Sequence, residues 1–364
     1  MAHDGRKIKI NNQNMKYKLL SIEDGNVVFN IGDYVQALAA AQFLPSIDGF
    51  VNREELSQYD GEECVVIMNG WYMHNPNNWP PSKKIRPVFL SFHINKRAAG
   101  KMLTNHGVTY LKENEPIGCR DRYTLNLLRQ RGIESWFTGC LTLTLGEKYT
   151  SVEKKENVYF VDPCIPTSQD RMARMARLVI LLKHPILVHK ISKKLSTLGN
   201  YSRFRHRLSL SSQFILLYSK IFTKECLGNA IFIEHESKQY NGSNEEKLYE
   251  AEKLIRLYSR AKFVVTSRLH CALPCLGLQT PVYFTQEVSC YEESSCRFEG
   301  LTELFNKMTV SSNNIICDFN YTGFLSESNI VENKRAWEPL AKAIAAKCKK
   351  MVKEKETMAQ HRVM

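Results

Sequence analysis

Several common signatures of catalysis and compartment are missing from this chain. It has no Gly-x-x-x-x-Gly-Lys-Ser/Thr loop, no Gly-x-Gly-x-x-Gly turn, no His-Glu-x-x-His pair and no Gly-x-Ser-x-Gly elbow. Readings as a P-loop ATPase, a dinucleotide-binding dehydrogenase, a zincin or an α/β-hydrolase therefore have no support. No apolar run reaches the roughly 18 residues that a spanning helix needs. The first residues lack an apolar h-region and a small-residue cleavage site, so no secretory leader is expected. The 11 cysteines are odd in number and widely scattered. That pattern argues against a disulfide framework and for a reducing, cytoplasmic setting. Cys271 and Cys275, one helical turn apart, make a poor zinc site without a second pair and read as helix packing.

What the chain does contain is enough apolar residue for a sizeable core and a marked excess of positive charge. Its 364 residues are 43% hydrophobic and carry a formal net charge of +13. The length suits two domains of ordinary size. The charge suits an anionic partner, but the cations are not interleaved with aromatic stacking residues as in a nucleic-acid module, so no nucleic-acid partner is expected.

Short apolar runs alternate with helical patterns. Val65–Met68, Pro87–Phe92, Ile117–Cys119 and Val158–Val161 read as strands, and Tyr123, Leu127 and Leu128 recur at helical spacing before Gly132. This rhythm predicts an α/β domain with a parallel sheet. From Arg171 to about Phe222 the texture changes to basic amphipathic helices with little acid. The α/β pattern resumes at Ala230–His235. A helix over Glu245–Arg260, a strand over Phe263–Thr266, a helix over Leu269–Leu278, a strand from Pro281 and a final helix over Lys334–Lys353 follow. We expect a first lobe over 1–165, a basic helical insert or linker over 166–225, and a second lobe over 226–364 that ends in the final helix.

The segment Thr266-Ser267-Arg268-Leu269-His270 carries the clearest chemistry. A buried strand ends there and a helix starts at once. The exposed N–H groups and positive dipole end of that helix favour an anion. Arg268 adds a planar fork for carboxylate or phosphate, and His270 a group that moves a proton near neutral pH. The same residues would serve equally well to cap and tether the helix.

The run Ala261–Phe284 closely resembles the C-terminal signature of the polysaccharide pyruvyl transferase family. Asn30-Ile31-Gly32-Asp33, followed by Gln36, resembles that family's opening motif, and Ile117-Gly118-Cys119-Arg120-Asp121 its middle Arg-Asp element. Each motif alone is an ordinary helix start. Three in order over residues 30–285 are far more specific. The match weakens through the basic insert and after Phe284.

The resemblance implies two Rossmann-like lobes in a GT-B-like arrangement with a central cleft. It implies transfer of the enolpyruvate-derived unit of phosphoenolpyruvate onto a sugar of a cell-surface polysaccharide or its lipid-linked precursor. A pyruvate ketal forms, phosphate leaves, and no cofactor or metal is required. It assigns His270, Asp33 and Arg268 as catalytic, with His270 as proton donor and Asp33 as base toward the acceptor, roles that could be exchanged. Arg120 and Arg268 become the natural anchors for the donor's two anionic groups, with Asp121 a helix cap. Ser267, Asn30, Gly32, Gln36, His235 and Arg297 complete the expected substrate-binding set, although Gln36 could face the core, and His235 and Arg297 could be plain surface residues. Asn69-Gly70-Trp71-Tyr72 and Ser91-Phe92-His93 end predicted strands, where aromatic faces could stack on a sugar ring, although Trp71 reads best as core. Rival functions are a GT-B-type glycosyltransferase with a nucleotide-sugar donor and a non-catalytic glycan-binding protein. The basic helices are either a solvated face or a surface for an anionic membrane leaflet.

Overall fold

The computed structural model describes residues 15–23, 29–153, 155–198, 203–237, 242–288 and 296–363. Most of the segment that bears on a secretory leader lies outside these residues. In chain order the first lobe holds β1 (Lys16–Ser21), β2 (Phe29–Asn30), α1 (Ile31–Ala41), β3 (Phe50–Asn52), β4 (Cys64–Ile67), β5 (Gly70–Tyr72), β6 (Ile85–Val88), β7 (Phe92–Ile94), α2 (Ala99–Met102), α3 (Asn105–Glu113), β8 (Ile117–Cys119), α4 (Arg122–Arg129), β9 (Ser135–Phe137) and α5 (Gly146–Tyr149). Its strands form two parallel four-stranded sheets, β3-β1-β4-β6 and β5-β7-β8-β9. The chain passes from β4 to β5 and from β6 to β7 within a few residues. The Met68 N–H donates to Val88 O and the Gly70 N–H to Ser91 O across the break. Gly70 (φ 143°) and Ser91 (φ 56°) take left-handed backbone there, so the second sheet continues the first at a new angle.

The second lobe begins earlier than the sequence reading places it. β10 (Asn157–Val161) is followed by α6 (Arg171–Lys183), α7 (Pro185–Leu195), α8 (Phe204–Tyr218), α9 (Lys224–Asn229), β11 (Ile231–Ile233), β12 (Glu236–Ser237), α10 (Asn244–Ser259), β13 (Ala261–Thr266), α11 (Leu269–Gly277), β14 (Val282–Glu287), β15 (Asn306–Val310), β16 (Ile315–Cys317) and α12 (Trp337–Val363). Its sheet runs β11-β10-β13-β14-β15-β16, parallel except for β16. β10, expected in the first lobe, pairs with β11 and β13 in register Tyr159↔Ile231 and Tyr159↔Val264. A strand's apolar run reveals burial on two faces but not its partners, which here lie about seventy to a hundred residues away.

The basic helices are not a separate linker. Val188, Ile191, Leu195, Phe214 and Tyr218 pack with Phe160, Phe263 and Tyr283 on one face of this sheet. On β10, Val158 and Phe160 face that layer, whereas Tyr159 and Val161 face the other, the alternation a pleated strand imposes. The opposite layer is α1, α10 and α11, and it is shared between the lobes. Val35 and Leu38 of α1 join Ala251 and Ile255 of α10 and Ala272 and Leu276 of α11 in one core. α10 starts from a full capping box between Ser243 and Glu246. The final helix packs back toward the first lobe, where Glu356 accepts from the Tyr17 hydroxyl (2.9 Å). Two Rossmann-like lobes in a GT-B-like arrangement result.

Where α5 meets the end of α11, backbone touches backbone. A Cβ added at Gly146 would lie 1.8 Å from the Gly277 carbonyl oxygen, and one added at Gly277 would lie 2.3 Å from that of Leu143. Neither obstacle is a flexible side chain. Gly277→Ala and Gly146→Ala should each lower unfolding free energy by about 2–4 kcal/mol, read as a shift in the urea midpoint. An unchanged midpoint would contradict the close approach.

Candidate active site

The carboxyl ends of β7, β8 and β13 border one cavity between the lobes, the position where open parallel sheets bind ligands. Its volume is about 520 Å³, within the range of small-molecule sites. Asn30, Asp33, Arg120, His235, Ser267, Arg268, His270 and Arg297 all line it. Residues from three motifs spread over more than two hundred positions thus share one space with His235 and Arg297.

The two lobes are stapled at its edge. β2 and β12 pair antiparallel, Asn30 opposite Glu236, and the Ile31 N–H donates to His235 O (2.9 Å). Asn30 Oδ1 then caps α1 by accepting from the Gly32 N–H (2.9 Å). Gly32 does not itself line the cavity. A Cβ there would sit 2.9 Å from the capping Asn30 Oδ1, 3.1 Å from His270 Cβ and 3.2 Å from its Nδ1, so the missing side chain leaves room for the cap and lets the first turns of α1 and α11 approach each other.

On the first-lobe wall, Asp33 Oδ1 accepts from Arg53 Nη1 (3.0 Å) and from Gln36 Nε2 (3.3 Å). Gln36 is buried behind Asp33 and does not reach the cavity. The expectation that it binds substrate is corrected: one turn along α1 its amide faces inward and steadies the carboxylate. Arg53 Nε also bonds Glu54 Oε1 (3.1 Å), and Glu54 Oε2 accepts the N–H groups of His74 and Asn75. The Arg53 guanidinium lies over the Trp71 ring (5.5 Å), which in turn meets His74 (4.5 Å). Trp71, read from sequence as core, lines the cavity.

The second-lobe wall is organised by Asp162, where β10 ends. Its Oδ2 accepts from Arg268 Nε (2.7 Å) and the His235 N–H (3.1 Å), and its carbonyl accepts from Ser267 Oγ (2.6 Å). Arg268 Nη1 donates to Glu236 Oε1 (2.6 Å). The sequence reading has Arg268 turned to a ligand anion. Two of its three nitrogens instead hold carboxylates, which largely offset its charge. His235 is buried, with Nε2 2.8 Å from the Tyr258 hydroxyl.

The third wall is built on Arg120. Arg120 is 1% exposed, and its backbone N–H donates to Phe92 O (2.9 Å). Its Nε has no hydrogen-bond partner among the described residues and lies 3.6 Å from Asp121 Oδ2. A buried donor without an acceptor is costly unless a ligand supplies one. Asp121 Oδ1 caps α4 through the Thr124 N–H (2.9 Å), and Oδ2 sits 2.6 Å from His93 Nδ1. Burial opposes the Asp121 charge, but His93, Arg120 and the Thr124 N–H hold its carboxyl below the usual range. The Arg122 N–H bonds Glu299 O (3.0 Å), which ties the Cys296–Phe298 turn to the lobe opposite and sets Arg297 in the wall.

His270 Nε2 is buried and also lacks a partner among the described residues. Burial, then Arg120, Arg297, His235 and Arg53, push its pKa well below the usual value. His93 is lowered too, chiefly by burial, against the pull of Asp121. Both imidazoles are neutral at pH 7. Arg53, Asp162 and Glu236 were missed as site residues, because isolated charges in a sequence carry no period that marks burial; Ser91-Phe92-His93 was legible as a strand end, but not that His93 would pair with Asp121. The one available signal was an acid at a strand's carboxyl end, Asp162 after Val158–Val161.

Fold and cavity define a two-lobed, GT-B-like α/β protein with a cleft lined by arginine and histidine side chains. A family model of polysaccharide pyruvyl transferases matches residues 30–285, and the chain belongs to that family. Membership makes it a transferase that moves a pyruvyl group onto polysaccharide. The chain is similar to a crystal structure of a functionally uncharacterised protein from Klebsiella pneumoniae subsp. pneumoniae. The two are 14% identical over 81% of this chain and 93% of that one, with a TM-score of 0.39. None of the curated proteins matches.

Two outcomes follow from this geometry. Gly32→Ala should lower the melting point by disturbing the Asn30 cap and lower turnover about tenfold or more, since its Cβ also displaces His270 from its place; unchanged turnover would show that the approach of α1 to α11 is not needed. Stability should fall with acid. His93 and His270 stay unprotonated in the fold, whereas the unfolded chain takes up protons below about pH 6.5. Their folded pKa values lie lower, so stability is full above about pH 6.5 and declines below it, by up to about 1.4 kcal/mol per pH unit for His270, which is lowered well below its usual value, and over a narrower range for His93. Urea titrations between pH 5 and 8 should show this slope in the native sequence, and a smaller one in His270→Gln.

Proposed function

We propose that this cleft binds phosphoenolpyruvate and transfers its three-carbon unit to two hydroxyls of one sugar, in a cell-surface polysaccharide or its lipid-linked precursor. The observation that carries the reading is the buried, unpartnered Nε of Arg120 beside Arg297 and the unpartnered Nε2 of His270. A small molecule bearing both a carboxylate and a phosphate satisfies such a set of donors. Arg120 and Arg297 serve as the anchors. Arg268, already neutralised by Asp162 and Glu236, orients that wall and offers its remaining nitrogen.

In the reaction, the donor's C3 methylene gains a proton and becomes a methyl group. C2 forms bonds to two sugar oxygens, and its bond to the phosphate oxygen breaks. Of the two protons that leave the sugar hydroxyls, one balances the proton taken up at C3 and the other leaves with phosphate. His270 is neutral in the empty cleft. A multiply charged donor bound beside it favours its protonated form, so it supplies a proton only once the donor is in place. Asp33, held by Arg53 and Gln36, accepts from one hydroxyl. His93, backed by Asp121, is the second group able to accept a proton.

Incubation with phosphoenolpyruvate and candidate glycans should release phosphate and add a pyruvate ketal to the glycan, read by mass. Arg120→Met should lower kcat/KM about 100-fold or more, the loss expected when one partner of a buried, charge-assisted contact is removed. His270→Gln should abolish turnover with the fold intact. Turnover with a nucleotide sugar and none with phosphoenolpyruvate would replace this reading by a glycosyltransferase. Unaltered biological output from Arg120→Met and His270→Gln would replace it by a binding protein.

A further inference from the structure

α6 buries an arginine and exposes most of its large apolar side chains. The residue it buries fully is Arg177, whose Nη1 donates to Ser168 O (3.0 Å). Ile180 and Leu181 pack against the core, but the other five large apolar side chains face outward: Met172 is 80% exposed, Met175 52%, Leu178 46%, Val179 42% and Leu182 72%. Ile186, at the start of α7, is 84% exposed. With about 100° of turn per residue, the five outward side chains of α6 fall within roughly a third of its circumference. Arg171 lies inside that arc, and Arg174 and Lys183 flank it. All three are exposed. The neighbouring helices behave conventionally. α7 and α8 turn Val188, Ile191, Leu195, Leu210 and Phe214 into the core.

An exposed, contiguous apolar stripe has a free-energy cost in water unless something covers it. Charge identifies the cover. No Asp or Glu occurs from Arg171 to Lys224, a stretch with 12 Lys and Arg. A second copy of this face would set like charges against each other. An anionic lipid surface meets both demands at once, because apolar side chains enter the acyl boundary while Arg and Lys stems reach up to headgroup phosphates.

We propose that the outer face of α6, continued by Ile186, is an interfacial docking surface for an anionic membrane leaflet. No helix among the described residues is long and apolar enough to cross a membrane, and the contact lies in the plane of the interface.

The test is flotation of the full chain with phosphatidylcholine vesicles, with and without phosphatidylglycerol. Binding should occur with the anionic vesicles at low salt and weaken at high salt. The double variant Leu182→Glu, Ile186→Glu should bind at least about tenfold more weakly, with an unchanged melting temperature. The exposure of both side chains leaves the core untouched. Absence of binding to anionic vesicles at low salt would overturn the proposal, and so would equal binding by the double variant. A concentration-dependent dimer in sedimentation, lost in the variant and without vesicle binding, would assign the face to a second copy instead.

Discussion

The cleft depends on one contact, the approach of the first turn of α1 to the first turn of α11. Gly32 permits it by leaving His270 room, and the short ladder between β2 and β12 holds it in register. From that junction Asn30 and Asp33 face Ser267 and Arg268 across the cavity. The lobes are not hinged on a bare linker here. They share an apolar core through α1, α10 and α11, so the walls of the site rest on packing as well as on hydrogen bonds.

Around this junction the charged side chains are arranged in a consistent way. A charge removed from water needs a partner, and two of the arginines have theirs. Arg53 holds Asp33 and Glu54, and Arg268 holds Asp162 and Glu236. These pairs fix the walls. Arg120 is different, because the Asp121 carboxylate beside it is shared with His93 and its own Nε is left without an acceptor. The same surroundings keep His270 neutral. A ligand with two anionic groups would change both conditions together, by supplying the acceptor and by favouring the protonated imidazole.

Much of this was legible before the coordinates. The strand-to-helix turn at Thr266–His270, the helix start after Asn30 and the Arg120-Asp121 junction each follow from local pattern. So do the helix over 244–259 and the final helix, because hydrophobic period and capping residues are properties of a short window. Arg53 and Glu54 were not legible. Nothing in Asn52-Arg53-Glu54-Glu55 distinguishes a buried pair from a solvated one. Gln36 shows the complementary limit: its place one turn after Asp33 was clear, but not that its amide would turn toward the carboxylate rather than the cavity. The orientation of α6 was hidden for the same reason, since Arg171, Arg174 and Arg177 share one spacing, yet only Arg177 is buried.

By itself, then, the sequence determined the kinds of element, their order and the three short motifs that bring an acid, an arginine and a histidine to element ends, because each of these rests on neighbours a few residues away. Tertiary structure alone decided that β10 belongs to the second sheet, that Asp162 takes the fork of Arg268, and that Arg120 keeps an unanswered donor. Those outcomes depend on partners more than seventy residues distant, or on the burial of a single side chain, and neither leaves a period in the chain.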